Sequence, residues 1–366
     1  MSSSHSPASR FMGCLLGGAV GDALGAPAEG IRNLEAIYRK FGRAGMTSLH
    51  PYNGYPDEVI RHNGIGAITD DTTMHAATIG AMMLAMRQPE KLVAYSYKGY
   101  VRWGVEQVDG LRMLSFVDLA ANWPRELHPF WFSCGAGRGT IAALSTGICG
   151  TPEQPLLYDA VIRGKRVTGP NNGCGGMMRA AALAFWPHEQ DKFRLGMENA
   201  AITHGAQDAY LAAGCVSELV AGVVDGLSLR DAFSRMSMRL RAEKGHDNVL
   251  SATEHGWEAG RRSVSFEAID RLSDLLGHKN AFLAVPVLAQ TIYALSAYEH
   301  NGISFKGALT LAATHSGDSD SVAAIVGNVL GAKEGEGAVP QDWLLQLQKR
   351  HELQALGHVA IRQLAL

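Results

Sequence analysis

Two short acidic clusters carry the side chains of this chain that are best suited to chemistry. The first is Thr69-Asp70-Asp71-Thr72, and the second, about 250 residues later, is Asp318-Ser319-Asp320-Ser321. Carboxylates this crowded repel one another unless a cation neutralises them. All the candidate ligand atoms are oxygen, and hard oxygen ligands favour Mg²⁺ or Mn²⁺ over zinc or copper. The pattern predicts a metal-assisted enzyme whose site closes when the two clusters meet.

Helix capping is the alternative explanation for each cluster. Both clusters open an apolar run, and acids in the first turn of a helix favour its dipole. Capping does not need two adjacent acids flanked by two hydroxyls, however. An EF-hand is excluded for the second cluster because the required Gly and Glu do not follow it. A shared cation site explains the two clusters together better than capping does.

The composition limits the class of protein. The 366 residues are 46% hydrophobic and 19% charged, which favours an ordered chain with a large core. The net charge is −2 and no long Lys/Arg run occurs, so we expect no nucleic-acid partner. Five widely spaced cysteines without a C-x-x-C pair favour a reducing, cytoplasmic compartment. The apolar run 281–298 contains Pro286 and Gln290 and indicates a buried helix, so we expect no membrane partner.

Helical periodicity dominates the chain, and alternating Val/Ile/Thr runs are scarce. We therefore predict an all-α fold, with one domain over 11–366 behind a flexible N-terminal tail over 1–10. The stretch 44–66 is predicted to be a long loop, and 241–280 to be solvated helix and loop. Glycines spaced three and four residues apart inside helical runs predict closely packed helices. The helical patterns lie at 73–87, 177–186, 206–224, 281–299, 305–314 and 321–332.

Two further features point to chemistry. Asp22 stands in a strongly apolar run, where an acid should be paired, hydrogen-bonded or functional. The glycine-rich turn at 173–177 lets backbone N–H groups approach a phosphate closely. A helix predicted from Met177 onwards would add an anion-favouring N-terminus behind this turn. A plain connector is the alternative for the turn.

Five segments resemble the ADP-ribosylglycohydrolase family, in the family's order, between about residue 11 and residue 332. The resemblance implies an all-α ADP-ribosylglycohydrolase-like domain and a centre of two Mg²⁺ (or Mn²⁺) ions. The segments are G-C-L-L-G-G-A-V-G-D-A-L-G-A-P-A-E at 13–29, T-D-D-T at 69–72, N-G-C-G-G-M-M-R at 172–179, I-T-H-G at 202–205 and H-S-G-D-S-D-S-V-A-A-I-V-G-N-V-L-G-A at 315–332.

The resemblance also implies roles for single residues. It gives metal ligation to Thr69, Asp70, Asp71, Asp318, Asp320 and Ser321. Catalysis falls to Glu29, Asp70 and Asp71, with the general base left open. Substrate binding falls to Asn172, Gly173, Cys174, Gly175, Gly176, Met177 and His204. We interpret the Cys174 thiol as a small packing group, and 135–140 weakly resembles a family loop near the ribose. Where relatives often continue after His204 with a second His and a Pro, this chain has Ala206-Gln207, so local substrate contacts should differ.

The H-S-G-D-S-D-S form at 315–321 is similar to the arginine-specific branch of the family. It implies an ADP-ribosylarginine hydrolase, a glycohydrolase whose partner is an ADP-ribosylated protein and which reverses ADP-ribosylation. Serine-linked and free ADP-ribose stay open as substrates. The alternative is an immunity or binding protein that neutralises an ADP-ribosyltransferase toxin by occlusion, with or without turnover.

Overall fold

Helices build nearly all of the regular structure. The computed structural model describes residues 5–53, 64–108, 123–275 and 281–366. In these ranges the strands form two small antiparallel pairs, so the predicted all-α class is confirmed. None of the described helices has the length and apolar character needed to cross a membrane. The α-helices are α1 (Pro7–Gly25), α2 (Leu34–Phe41), α3 (Asp70–Ala85), α4 (Leu92–Gly104), α5 (Arg138–Ser145), α6 (Lys192–Ala201), α7 (Gln207–Val224), α8 (Leu229–Arg241), α9 (Asp247–Arg262), α10 (Phe266–Leu275), α11 (Ala284–Asn301), α12 (Phe305–Ala312), α13 (Ser319–Glu334), α14 (Gln341–Leu344) and α15 (Arg350–Leu364).

The strands are short and lie beside irregular segments. β1 (Pro51–Tyr52) pairs with β2 (Gly64–Ile65), and β3 (Asp159–Ile162) pairs with β4 (Lys165–Thr168). The described part of the predicted loop 44–66 is irregular apart from β1 and β2, and 54–63 lies outside the described residues. The charged stretch 241–280 contains α9 and α10, and 276–280 is likewise not described.

One predicted helix is wrong. Residues 177–180 form tight turns, and a short 3₁₀ helix follows at Ala181–Phe185. The turns close over three residues, as in the bonds from Met177 N to Cys174 O and from Ala180 N to Met177 O. Every residue from 176 to 186 is buried, so no polar face existed to define a helical period. No α-helix N-terminus therefore stands behind the glycine turn, and that support for anion binding is lost.

The predicted flexible tail is too long. Helix α1 begins at Pro7, after Ser6, whose hydroxyl accepts a hydrogen bond from Ser9 N at 3.2 Å. The buried Arg10 guanidinium donates to the carbonyl oxygens of Val223, Ala332 and Lys333, each at 3.0 Å. These carbonyls lie in the last turns of α7 and α13, where a cation is favourable. Residues 1–4 lie outside the described part of the chain.

Helices α1 and α13 pack antiparallel, with their backbones in contact. A Cβ placed on Gly327 would lie 2.1 Å from Gly17 O, and one on Gly331 would lie 1.9 Å from Gly13 O. The contact continues at Gly21 and Gly25, where a Cβ would lie 2.1 Å from Ala323 O and 2.2 Å from Ser319 O. Each step of four residues along α1 thus matches a step of four back along α13. This register places the second acidic cluster beside the end of α1.

We expect Gly327→Ala to destabilise the protein, although Ala is the better helix former by about 1 kcal/mol. The added methyl group would overlap the α1 backbone, and overpacking of this kind costs about 1–3 kcal/mol or more. Urea unfolding would measure the loss. Gly337→Ala is the matched control, because nothing lies within 4 Å of a Cβ at that position. Equal stability of the two variants would contradict the close approach of the helices.

Candidate active site

Asp22 on α1 holds the first acidic cluster in place. Its carboxylate accepts hydrogen bonds from Thr69 N at 2.9 Å, Thr69 Oγ1 at 2.8 Å and Thr72 N at 3.2 Å, and also from Thr72 Oγ1. Asp22 is completely buried, so the expectation of a hydrogen-bonded acid is met. These bonds tie the start of α3 to α1.

The second cluster is attached to the same helix. Ser319 Oγ donates to Gly25 O at 3.0 Å, and Ser321 N donates to Asp320 Oδ1 at 3.0 Å. Asp318 stands at the N-cap of α13, but its side chain makes no capping hydrogen bond. Capping therefore does not explain Asp318. At α3 the capping side chain is that of Thr69, and Asp70 and Asp71 follow in the first turn.

The two clusters meet at one cavity of about 190 Å³. Carboxylate oxygens of Glu29, Asp318 and Asp320 lie within 4.8 Å of one another. Asp70 and Asp71 line the same cavity, and the buried Asp71 Oδ1 has no hydrogen-bond partner among the described residues. A buried carboxylate oxygen without a donor is the group that a bound cation would satisfy. The donor set therefore fits a hard divalent cation.

The pKa shifts of the acids in the cavity also favour a bound cation. Burial raises the pKa of Asp71 and Asp320 well above the usual range, and the neighbouring acids Asp320 and Asp318, respectively, raise them further. Burial, followed by the charge of Asp320, raises the pKa of Asp22 to about 7, although the Thr72 and Thr69 donors oppose the shift. Burial also raises the pKa of Asp318. A cation among these groups would favour their ionised forms.

The glycine turn forms another part of the wall. Gly173 N donates to Asn171 Oδ1 at 3.1 Å, and Cys174 N donates to Phe282 O at 3.2 Å. Gly175 N has no acceptor among the described residues, so this N–H group can donate to a ligand. A Cβ on Gly175 would lie 3.3 Å from the His204 ring.

Most of the predicted site residues lie in the cavity wall. The wall includes Glu29, Asp70, Asp71, Gly173, Cys174, Gly175, His204, Asp318, Asp320 and Ser321. Thr69, Asn172, Gly176 and Met177 are not part of it. Thr69 is bonded to Asp22, Gly176 packs against Ala200, and Met177 is fully buried. Cys174 does more than pack, because its thiol donates to Asp318 Oδ2 at 2.6 Å.

Several wall residues were not among the predicted site residues. Gly135, Gly137, Gly139 and Thr140 belong to the segment whose family resemblance was weak. Met178 belongs to the family-like segment at 172–179 but was given no role, whereas Asn171 and Phe282 had no recognisable signal in the sequence. Phe282 reaches the site through backbone pairing, since Gly173 forms a bridge with Leu283. Such a pairing between remote, irregular segments leaves no periodic pattern to detect.

Cavity volume alone would select a different place. A larger groove of about 780 Å³ is lined by residues of α2, α10 and α12, including Tyr38, Phe266 and Lys306. Its charged residues do not form a carboxylate cluster. The smaller cavity is therefore the better candidate on chemical grounds.

The fold is that of an ADP-ribosylglycohydrolase-type hydrolase. The chain belongs to the ADP-ribosylglycohydrolase family, whose sequence profile matches residues 3–365. It is 26% identical over 350 residues to an uncharacterized protein of Archaeoglobus fulgidus. The aligned region covers 95% of this chain and 94% of the relative. A solved structure described as an "ADP-ribosylglycohydrolase-related protein complex" has the same fold, with a TM-score of 0.62, 22% identity and 98% of each chain covered.

We expect the metal-free protein to lose free energy of unfolding between pH 6.5 and pH 7.5. The folded state binds protons at Asp22, Asp71 and Asp320 more tightly than the unfolded chain does, so raising the pH favours unfolding. Each such carboxyl contributes up to about 1.4 kcal/mol per pH unit. The buried His75, His204 and His315 act in the opposite direction, mainly below about pH 6.5, because an unfolded-chain imidazole loses most of its remaining charge within one pH unit above that value.

Urea unfolding in EDTA at the two pH values measures this slope. Asp320→Asn should reduce the slope, and Mg²⁺ or Mn²⁺ should raise stability most at pH 7.5. A metal-free protein that becomes more stable from pH 6.5 to pH 7.5 would contradict the assignment of these acids as a repulsive buried cluster.

Proposed function

We propose that this protein is a divalent-metal-dependent ADP-ribosylarginine hydrolase, which releases ADP-ribose from modified arginine side chains. One observation carries the proposal. Two acidic clusters far apart in sequence converge on one cavity, where Glu29, Gly175 and His204 also lie. Family membership supports the reaction class. The arginine linkage and the metal requirement are our inference.

Two Mg²⁺ or Mn²⁺ ions would be held by Asp70, Asp71, Asp318, Asp320, Thr69 and Ser321. The Thr69 hydroxyl donates its proton to Asp22 and accepts a long hydrogen bond from Asp71 N at 3.4 Å, so one oxygen lone pair is left for a cation at the edge of the cavity. When bound, such ions would lower the pKa of a water molecule and hold ribose hydroxyls. The carboxylates of the wall would also stabilise the positive charge that develops at the anomeric carbon.

Glu29 is our preferred proton acceptor. It follows α1, is half-buried, and lies within 4.8 Å of Asp318 and Asp320 by its carboxylate oxygens. A carboxylate at this place can take a proton from the attacking water and return it to the departing nitrogen. Asp70 and Asp71 are the other candidates, because they line the same cavity.

The charge of the cavity supports an arginine linkage. Its described wall contains the carboxyl groups of Glu29, Asp70, Asp71, Asp318 and Asp320, and it contains neither Lys nor Arg. An acidic wall attracts a guanidinium group, which is protonated as it leaves. The diphosphate of the substrate would then depend on backbone N–H groups and on the cations.

Release of labelled ADP-ribose from separately arginine-modified and serine-modified proteins tests the proposal. We expect release from the arginine-linked substrate with Mg²⁺ or Mn²⁺, none in EDTA, and at least about tenfold slower release from serine, equivalent to about 1.4 kcal/mol. Faster release from serine would overturn the arginine assignment. If neither substrate reacts with metal present, the enzyme proposal fails, and tight binding to an ADP-ribosyltransferase would then favour the immunity alternative.

Conversion of a ligand carboxylate to an amide should abolish turnover without unfolding the protein. We expect Asp71→Asn and Asp320→Asn to lower kcat at least about 100-fold, because weakening a metal centre through its outer partners already costs 10–100-fold. The melting temperature in EDTA should hold or rise, because repulsion is relieved. Asp247→Asn, at a position whose side chain is 94% exposed, is the control. Either site variant retaining half of the activity would refute our ligand assignment.

A further inference from the structure

A chain of buried hydrogen bonds leads from the core to His204. Arg179 is completely buried, and its Nη2 donates to Thr203 Oγ1 at 2.9 Å and to Asn199 O at 2.9 Å. Thr203 Oγ1 in turn lies 2.9 Å from His204 Nδ1. Thr203 and His204 are themselves buried. The chain therefore connects a fixed positive charge to a side chain in the cavity wall.

Arg179 is held rigidly. Its Nε donates to Asn199 Oδ1 at 3.2 Å, and its guanidinium carbon lies 3.9 Å from the centre of the Tyr100 ring. Tyr100 OH also donates to Asn199 Oδ1, at 2.8 Å. None of the ion pairs found among the described residues involves Arg179. An arginine can only donate, so it fixes the direction of the bonds that follow.

That direction determines where the His204 proton lies. Thr203 Oγ1 accepts from Arg179, and its single proton has one acceptor among the described residues, His204 Nδ1. Nδ1 is therefore the acceptor nitrogen of the ring. Burial, followed by the nearby Arg179 charge, holds the pKa of His204 well below its usual range, so the ring is neutral. A neutral imidazole has one N–H group, and here it is at Nε2.

The Nε2 atom faces the cavity. A Cβ on Gly175 would lie 3.3 Å from this atom, and one on Gly173 would lie 3.8 Å from it. Among the described residues Nε2 has no hydrogen-bond partner, although His204 lines the cavity. The N–H group is thus available to a ligand that lies along the glycine turn.

We propose that Arg179 and Thr203 are positioning residues that hold His204 as a neutral Nε2–H donor to an oxygen acceptor of the ligand. Naming the ligand as ADP-ribose rests on the proposed function, and the acceptor is a phosphate oxygen or a ribose oxygen. The opposite tautomer would direct a lone pair at that oxygen and repel it. Sequence reasoning placed His204 near the substrate, but it had no means of fixing the ring's proton.

The tautomer can be measured without any ligand. In protein labelled with ¹⁵N-histidine, His204→Gln identifies the resonances of His204, and the shifts of the two ring nitrogens separate N–H from lone-pair character. We expect a protonated Nε2 and a hydrogen-bonded, unprotonated Nδ1. In Thr203→Val, which removes the donor, Nδ1 should lose the shift that the hydrogen bond causes, whereas Thr203→Ser should keep it. A protonated Nδ1 in the wild-type protein would overturn the proposal.

Calorimetry of ADP-ribose binding in Mg²⁺ tests whether the Nε2–H group of His204 contributes to ligand binding. We expect Thr203→Val to weaken binding about tenfold, the value of one well-placed hydrogen bond, and Thr203→Ser to restore most of it. Thr291→Val is the matched control, because Thr291 is equally buried but donates only to Val287 O, at 2.9 Å. Unaltered affinity in a folded Thr203→Val would overturn the proposal.

Binding of ADP, which lacks the distal ribose, distinguishes a phosphate oxygen from a ribose oxygen as the acceptor. Equal weakening of ADP and ADP-ribose by Thr203→Val assigns the donor to the diphosphate, and weakening of ADP-ribose alone assigns it to the distal ribose. If the wild-type protein binds no ADP-ribose, the proposed function fails. The tautomer measurement then decides the role of Arg179 and Thr203 by itself.

Discussion

The backbone contact between α1 and α13 is the constraint on which the site depends. Glycines at every fourth position of α1 bring the two helices so close that their register is fixed. The end of α1 therefore lies beside Ser319, whose hydroxyl bonds to Gly25 O. Asp22, one turn earlier, holds Thr69 and Thr72 at the start of α3. Both acidic clusters are thus attached to one helix, which is how segments far apart in sequence come to form one cavity.

This arrangement places function in conflict with stability. The acids of the cavity are buried and close together, so their ionised forms are disfavoured in the metal-free protein. Asp22 is a further acid nearby, and its hydrogen bonds to Thr69 and Thr72 only partly offset its burial. A bound cation would remove the conflict, because it favours the ionised carboxylates that are also its ligands. Such local strain is common where a site is built for binding rather than for stability.

The sequence revealed the carboxylates of the site more fully than the groups that could donate hydrogen bonds to a ligand. Crowded acids are easy to recognise in a sequence, because few reasons other than cation binding place them together. Five motifs in the family's order identified the family. The helix predicted at 177–186 was wrong because a segment buried on every side has no polar face to mark a period. Arg10 was assigned to a polar tail because its acceptors are carbonyl groups at the ends of remote helices. Phe282 and the Arg179–Thr203 chain depend on pairings that only the folded chain creates.

The cavity that holds the acids also holds the donors, which gives a reason for the donors to be uncharged. Gly175 and His204 line the same cavity as Asp71 and Asp320, so a charge on a donor would act on the proposed cations. At about 6 Å and an effective dielectric constant of about 20, two unit charges repel by about 3 kcal/mol, and a divalent ion doubles this. A lysine in that wall would therefore weaken the metal centre. A neutral imidazole N–H and the Gly175 backbone N–H can bind an anionic ligand without this cost. The Arg179 charge remains in the core, with Thr203 between its guanidinium and His204.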